Sequence, residues 1–289
     1  MTRVLAIFGP TASGKTDVAE AIADRTPAEL VSADAMQAYR GLPILTNQSE
    51  RPTALVGVWP LSHDGSLAEY QELAHQAVDE ALRAGKTPVV VGGTGLYLRA
   101  ALSNLELPPP PAPGARERWD ARYEELGPEG AHAELAAVDA AAAAAVHPND
   151  RRRVVRALEL AEAGASLSPE RDGLWSEDTR HPTLIVGLDV PREELDRRIA
   201  ARTQRMLERG VVAEVQEALA GEVSATARTI HGLREFAELP PLEAAAAYDA
   251  RVRRYASYQR KWMRRIPGIR LVDATSPPGT VADEMLALD

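Results

Sequence analysis

Short apolar runs alternate along the chain with longer amphipathic stretches. Residues 4–8 are apolar throughout and stop at Gly9-Pro10, the pattern of a strand buried on both faces. Over residues 14–25, Val18, Ala19, Ile22 and Ala23 recur at helical spacing. Residues 29–32 predict a second strand, with Asp34 just beyond its carboxyl end. Residues 40–65 are rich in turn formers and predict no regular element. A helical pattern over 67–84 closes at Gly85, a third strand over 87–91 stops at Gly92-Gly93, and a short helix follows over 94–102. Strand, helix, strand, helix, strand implies a parallel, doubly wound sheet.

The pattern then changes. Leu107-Pro108-Pro109-Pro110-Pro111-Ala112-Pro113-Gly114 reads as a stiff linker. Residues 115–164, rich in Ala, Glu and Arg, read as all helix, including the run of alanines over 140–145. Residues 165–181 predict a loop and 183–189 a strand. Long helices follow over 191–219 and 241–265, with a last strand over 269–272. No internal repeat is visible. The expected organisation is a core of residues 1–110 and 182–289 interrupted by a helical insertion over 114–181.

The chain has 289 residues, of which 45% are hydrophobic and 26% charged, ordinary for a globular protein. With 33 Lys+Arg against 42 Asp+Glu, the formal charge is −9. That sign argues against nucleic-acid binding through bulk charge. The distribution is uneven, however. Residues 197–209 hold five arginines against Glu208, and residues 248–265 hold seven basic residues against Asp249. Arg151, Arg152, Arg153 and Arg156 form a third cluster in the insertion. Each cluster reads either as a solvated helix face or as a surface for phosphates. Tyr255, Tyr258 and Trp262 lie within the second, as core or as base-stacking residues. There are no cysteines, which excludes disulfides, thiolate metal sites and a Cys nucleophile. No apolar stretch approaches the ~18 residues that a membrane helix needs. The N-terminal apolar run is too short for a signal peptide, so the expected location is cytoplasmic. The histidines show no metal-ligand spacing.

Gly9-Pro10-Thr11-Ala12-Ser13-Gly14-Lys15-Thr16 matches G-x-x-x-x-G-K-T between a predicted strand and a predicted helix. Such a loop wraps backbone N–H groups around a phosphate, and the helix N-terminus adds partial positive charge. Lys15 is placed to neutralise a terminal phosphate and Thr16 to hold Mg²⁺. The fold class is therefore α/β, a P-loop NTPase-like parallel sheet core with an inserted all-helical domain and C-terminal helices. ATP-hydrolysing members usually carry an acid at the end of a later strand. Here that position reads Gly92-Gly93-Thr94-Gly95, which weakens an ATPase reading. Asp34 points into the same crevice, where it serves as a proton acceptor or as the cap of a helix starting at Ala35. Gln37 either reads a base edge or is simply exposed.

These segments, with Val91-Gly92-Gly93-Thr94-Gly95-Leu96-Tyr97, resemble the tRNA dimethylallyltransferase (tRNA isopentenyltransferase) family. The similarity continues through His147-Pro148-Asn149-Asp150-Arg151-Arg152-Arg153, the arginines around Arg202, and Arg254-Tyr255-Ala256, Gln259-Arg260 and Trp262. It implies transfer of a prenyl group from dimethylallyl diphosphate to N6 of adenine 37 of tRNA. It further implies that residues 9–16 and Arg202 bind diphosphate, that Asp34 is the base, and that Thr11 contacts the bridging oxygen. The tRNA contacts would be Asp34, Ala35, Met36, Gln37, Thr94, Arg152, Arg153 and Arg156. The expected partners are tRNA, dimethylallyl diphosphate and Mg²⁺, and the expected enzyme is monomeric and free of membranes. The chain departs from the family at Pro43-Ile44-Leu45-Thr46-Asn47-Gln48, where Gln48 replaces a lysine, near Val56-Gly57-Val58-Trp59, at His231 and Leu233, and at Ser257-Tyr258. Rival readings are a P-loop small-molecule kinase, a prenyltransferase acting on free adenine nucleotides, and an RNA-binding protein without catalysis.

Overall fold

Five parallel strands carry the core: β1 (Val4–Phe8), β2 (Ala28–Ser32), β3 (Thr87–Gly92), β4 (Thr183–Asp189) and β5 (Arg270–Asp273), in the order β2-β3-β1-β4-β5. The computed structural model describes residues 3–167 and 173–288. Met1, Thr2 and residues 168–172 of the expected loop lie outside the described residues. β1 is central, with Leu5 opposite Val89 on one side and Leu184 on the other. Its alternate side chains feed two cores. Val4, Ala6 and Phe8 enter one and Leu5 and Ile7 the other, so the unbroken apolar run is what a strand covered on both faces requires.

The helices follow from that burial. One layer holds α1 (Lys15–Arg25) and, at the chain end, α11 (Pro278–Leu286), through Val18, Ala19, Ile22, Val281 and Met285. The opposite layer holds α2 (Leu67–Arg83) and α3 (Gly95–Leu102) through Tyr70, Ala74, Val78 and Leu98. Three helices form a unit of their own, Glu106–Gly173: α4 (Ala115–Val138), α5 (Ala140–Ala145) and α6 (Arg151–Glu162). Tyr123, Leu135, Val154 and Leu158 form its core. The buried Glu159 is held there by Arg116 at 2.5 Å and Arg156 at 3.0 Å. Helix α4 breaks at Gly127 (φ 70°, ψ 173°) ahead of Pro128, because a residue before proline is pushed out of the helical region. The remaining helices, α7 (Arg192–Glu208), α8 (Val211–Leu219), α9 (Leu233–Glu238) and α10 (Pro241–Met263), return to the sheet layer that holds α2 and α3.

The structure departs from the pattern in several places. The expected helix over 191–219 is two helices, because Gly210 adopts a left-handed φ of 88°. The stretch 115–164 is three helices instead of one continuous helical region, and the pattern predicts neither α9 nor α11. The core unit comprises Met1–Leu105 and Leu174–Asp289, so the prolines at 108–113 belong to the helical unit and 174–181 to the core. The cause is Arg99, fully buried, which donates to the carbonyl oxygens of Leu174 (3.0 Å) and Ser176 (2.8 Å). Among the described residues, no helix is long and apolar enough to cross a membrane.

Candidate active site

Ligands in open parallel sheets bind beyond the carboxyl ends of the strands. Here that edge holds a crevice of about 510 Å³. The phosphate loop forms its floor. Ala12 (φ 63°) and Gly14 (φ 89°) both take left-handed conformations, which turn the chain into α1. A side chain at Gly9 would lie 2.7 Å from the Ser13 hydroxyl. Lys15 is half-buried, and its ammonium donates to the Pro10 carbonyl oxygen at 2.8 Å. Burial lowers its pKa to about 8; Asp34 opposes that shift and Arg202 adds to it.

Helix α7 supplies the facing cations. Arg198, Arg202 and Arg205 all line the crevice, as their spacing on one helix face requires. Arg202 Nη1 donates to the Thr11 hydroxyl at 2.9 Å and Nη2 lies 3.4 Å from the Tyr248 hydroxyl, while its buried Nε has no partner among the described residues. Arg198 is braced by Glu194 at 2.6 Å. Thr16 and Asp17 also line the crevice. Among the described residues, no three carboxylates and imidazoles cluster to hold a metal unaided.

Asp34 lines the same crevice. No helix starts at Ala35, so the capping expectation is corrected. Asp34 Oδ1 instead accepts from the Met36 N–H at 2.9 Å, closing a local turn. One carboxylate oxygen is thereby fixed by the backbone. Met36 and Gln37 line the crevice, and Ala35 is half-buried beside them. The Gln37 amide is neither open nor exposed. Nε2 donates to the carbonyl oxygens of Thr46 and Asn47 (3.2 Å each) and Oε1 accepts from the Ser32 hydroxyl at 3.0 Å. It shapes the wall.

The glycine-rich turn after β3 is a packing surface. Cβ atoms at Gly92, Gly93 and Gly95 would lie 2.1 Å from Ala33 O, 2.2 Å from Gln259 Nε2 and 2.2 Å from the Trp262 ring. Thr94 heads α3, with its hydroxyl 3.3 Å from that of Tyr255.

In the helical unit, Arg152 and Arg153 are exposed and take no side-chain partner among the described residues. Arg156 pairs with Glu159 and donates to the Pro109 carbonyl at 2.5 Å. The basic stretches counted from sequence are partly neutralised by acids from other elements. Arg251 pairs with Glu235 (2.7 Å), Arg260 with Asp189 (3.7 Å) and Arg151 with Asp120 (2.8 Å). Arg254, Lys261 and Arg264 remain exposed, with no ion pair among the described residues.

Several residues with no site role expected from the sequence complete the crevice, and Tyr255, expected as core or base-stacking, joins them. Tyr248, Val252, Tyr255 and Gln259 line the crevice from one face of α10. Their spacing of four, three and four residues was the available signal. His231 lines it too, its ring edge-on to Tyr255 at 4.7 Å, and burial lowers its pKa. Leu45, Thr46 and Asn47 form a wall, held by Glu214, whose carboxylate accepts the N–H groups of Ile44 and Leu45 at 2.7 Å each.

A phosphate loop, three arginines and an aspartate gathered at one sheet edge place the chain in the class of P-loop-type α/β proteins. Residues 37–266 match the IPP transferase family and residues 2–54 the isopentenyl transferase family. The tRNA dimethylallyltransferase of Streptomyces coelicolor is 40% identical, over 92% of this chain and 89% of that protein. That of Salinispora arenicola is 40% identical over 99% and 86%. Among solved structures, the full-length tRNA isopentenylpyrophosphate transferase of Bacillus halodurans superposes with a TM-score of 0.71 at 28% identity, covering 99% of this chain and 95% of that one. A eukaryotic dimethylallyltransferase acting on tRNA gives 0.77 at 25% identity, covering 96% and 75%. The chain belongs to the IPP transferase family, whose curated relatives are tRNA dimethylallyltransferases.

Proposed function

We propose that this enzyme transfers a dimethylallyl group from dimethylallyl diphosphate to N6 of adenine 37, beside the tRNA anticodon. The observation that carries this reading is the meeting of two chemistries in one crevice, which Lys15, Arg202 and Asp34 line together. The bond from C1 of the prenyl group to the diphosphate oxygen breaks as the C1–N6 bond forms. Negative charge grows on the departing oxygens, where preorganised donors are most effective. The loop N–H groups, Lys15 and Arg202 provide them. Asp34 orients the weakly nucleophilic exocyclic amine and takes its proton. Because one Asp34 oxygen is held by Met36 N–H, the other is the one presented to the amine. The target base must leave its stack to reach the crevice.

The donor set fits Mg²⁺ held mainly by the substrate, since Thr16 offers one hydroxyl and Mg²⁺ usually relies on one or two protein groups plus phosphate oxygens. Bound there, the ion would supply further charge neutralisation. We also propose a monomeric, cytoplasmic enzyme, because one chain supplies both walls of the crevice and the substrate is tRNA. The test is incubation with labelled dimethylallyl diphosphate and, separately, tRNA, AMP or ATP. Label in tRNA alone is the expected result. Label in AMP or ATP would contradict the acceptor assigned.

A further inference from the structure

Gln259 is 2% exposed on the inner face of α10. Its Oε1 accepts the Thr11 N–H at 2.7 Å, and its Nε2 donates to the Gly93 carbonyl oxygen at 2.9 Å. One amide therefore joins the phosphate loop after β1 to the turn after β3. The Thr11 N–H, which a phosphate loop would ordinarily leave for its anion, is already used. Thr11 is held from its other end as well, because its hydroxyl accepts from Arg202. Gln259, Thr11 and Arg202 thus form a connected series that ends at the cation aimed into the crevice.

The chemistry needs this side chain. A glutamine amide accepts at one end and donates at the other at any pH, which an ionised carboxylate of the same length cannot do. Glutamate would set a carboxylate oxygen against the Gly93 carbonyl, and asparagine is one methylene too short to span both partners. Alanine would leave a buried N–H and a buried C=O without partners. Gly93 is fitted to the amide, because a Cβ there would lie 2.2 Å from Nε2. On the acceptor side, Thr94 follows Gly93 directly, and its hydroxyl lies 3.3 Å from that of Tyr255, one turn before Gln259 on α10.

We infer that Gln259 is a positioning residue for the transfer: it sets Thr11, and through it Arg202, at the diphosphate end and ties both to the Gly93-Thr94 turn at the acceptor end. Occupation of the acceptor side then tightens the diphosphate side, with the coupling carried by one amide. The inference rests on the proposed prenyl transfer.

The test compares the wild type with Gln259→Ala and Gln259→Glu in the full chain. Readouts are kcat, KM for tRNA, thermal midpoint, and the Kd of an unreactive dimethylallyl thiolodiphosphate with and without tRNA. Misplacement of a leaving-group contact by about 1 Å costs roughly a hundredfold in rate. The expected result is a fall of about 10- to 100-fold in kcat, with KM for tRNA within about twofold. Bound tRNA should tighten the analogue by about fivefold or more in the wild type, and the factor should drop to about one in both variants. Unchanged kcat, an unchanged coupling factor, a lowered thermal midpoint alone, or a wild type without coupling would each overturn the inference. If Gln259→Ala fails to fold, Gln259→Glu decides, since it preserves the shape and the bond from Thr11 while losing the donor to Gly93. Absence of prenyl transfer by the wild type would instead overturn the proposed function, and the binding measurements separate the two failures.

Discussion

Desolvation pushes the pKa of the half-buried Lys15 ammonium down from the usual 10.5 to about 8. Its ammonium is the form that attracts diphosphate, so affinity is greatest below that pKa and falls as pH rises through it. Binding should therefore take up a proton above pH 8. We expect the Kd for dimethylallyl thiolodiphosphate to be level from pH 7 to 7.5, then to rise towards tenfold per pH unit above about 8. In Lys15→Ala binding should be weaker and level across that alkaline range. Calorimetry in buffers of different ionisation enthalpy reads both. A wild-type Kd independent of pH up to 10 would remove Lys15 from the diphosphate site. Gly14 is a second residue-level test. With φ at 89° and no atom within 4 Å of an added Cβ, Gly14→Ala isolates backbone strain. It should cost about 1–2 kcal/mol, read by urea unfolding, and should weaken diphosphate binding. The motif residues were legible in the sequence because a phosphate loop is a local object whose chemistry is written in eight consecutive positions. The partners of Thr11 were not, since Gln259 and Arg202 are 248 and 191 residues away.

Strands β1, β3 and β4 were legible because both-face burial leaves apolar runs bounded by Gly and Pro, and most helices because their apolar positions recur at helical spacing. The break at Gly210 and the existence of α11 were harder to read. A left-handed glycine inside a helical periodicity, and a nine-residue helix whose apolar face meets α1, show only once the neighbours are placed. The wall over 43–48 is a clearer case. It has no regular structure, and it stands because Glu214 of α8 accepts two of its N–H groups. The same segment departs from the family's usual residues, and Gln48 supports it by donating to the Tyr39 carbonyl at 3.1 Å. Glu214→Ala leaves two donors without a partner. It should cost about 1–3 kcal/mol of stability and raise KM for the prenyl diphosphate, because Leu45, Thr46 and Asn47 line the crevice. Urea unfolding and steady-state kinetics check this; unchanged stability would show that the turn stands without the carboxylate.

Across the whole molecule, the sequence pointed to basic patches inside an acidic chain, and the structure redistributes that charge. Ion pairs form between elements, so a local count cannot see Asp189 beside Arg260 or Glu235 beside Arg251. The basic side chains without an ion pair among the described residues are a smaller set that includes Arg152 and Arg153 of the helical unit, and the proposed tRNA binding would draw on them. Each phosphate contact contributes about 0.7–0.9 to the slope of log affinity against log salt. Arg152→Ala and Arg153→Ala should each lower that slope by about one and leave kcat at saturating tRNA unchanged. Filter binding from 50 to 200 mM salt measures it, and an unchanged slope would remove that arginine from the RNA surface.

The division of labour across the crevice is tested most directly by Asp34→Ala under single turnover with saturating tRNA and prenyl diphosphate. Loss of a positioned base should slow transfer by about 10²- to 10⁴-fold, while the Kd for the thiolodiphosphate analogue stays within about twofold of the wild type. Transfer at the wild-type rate, or a collapse of diphosphate binding with transfer intact once bound, would contradict it.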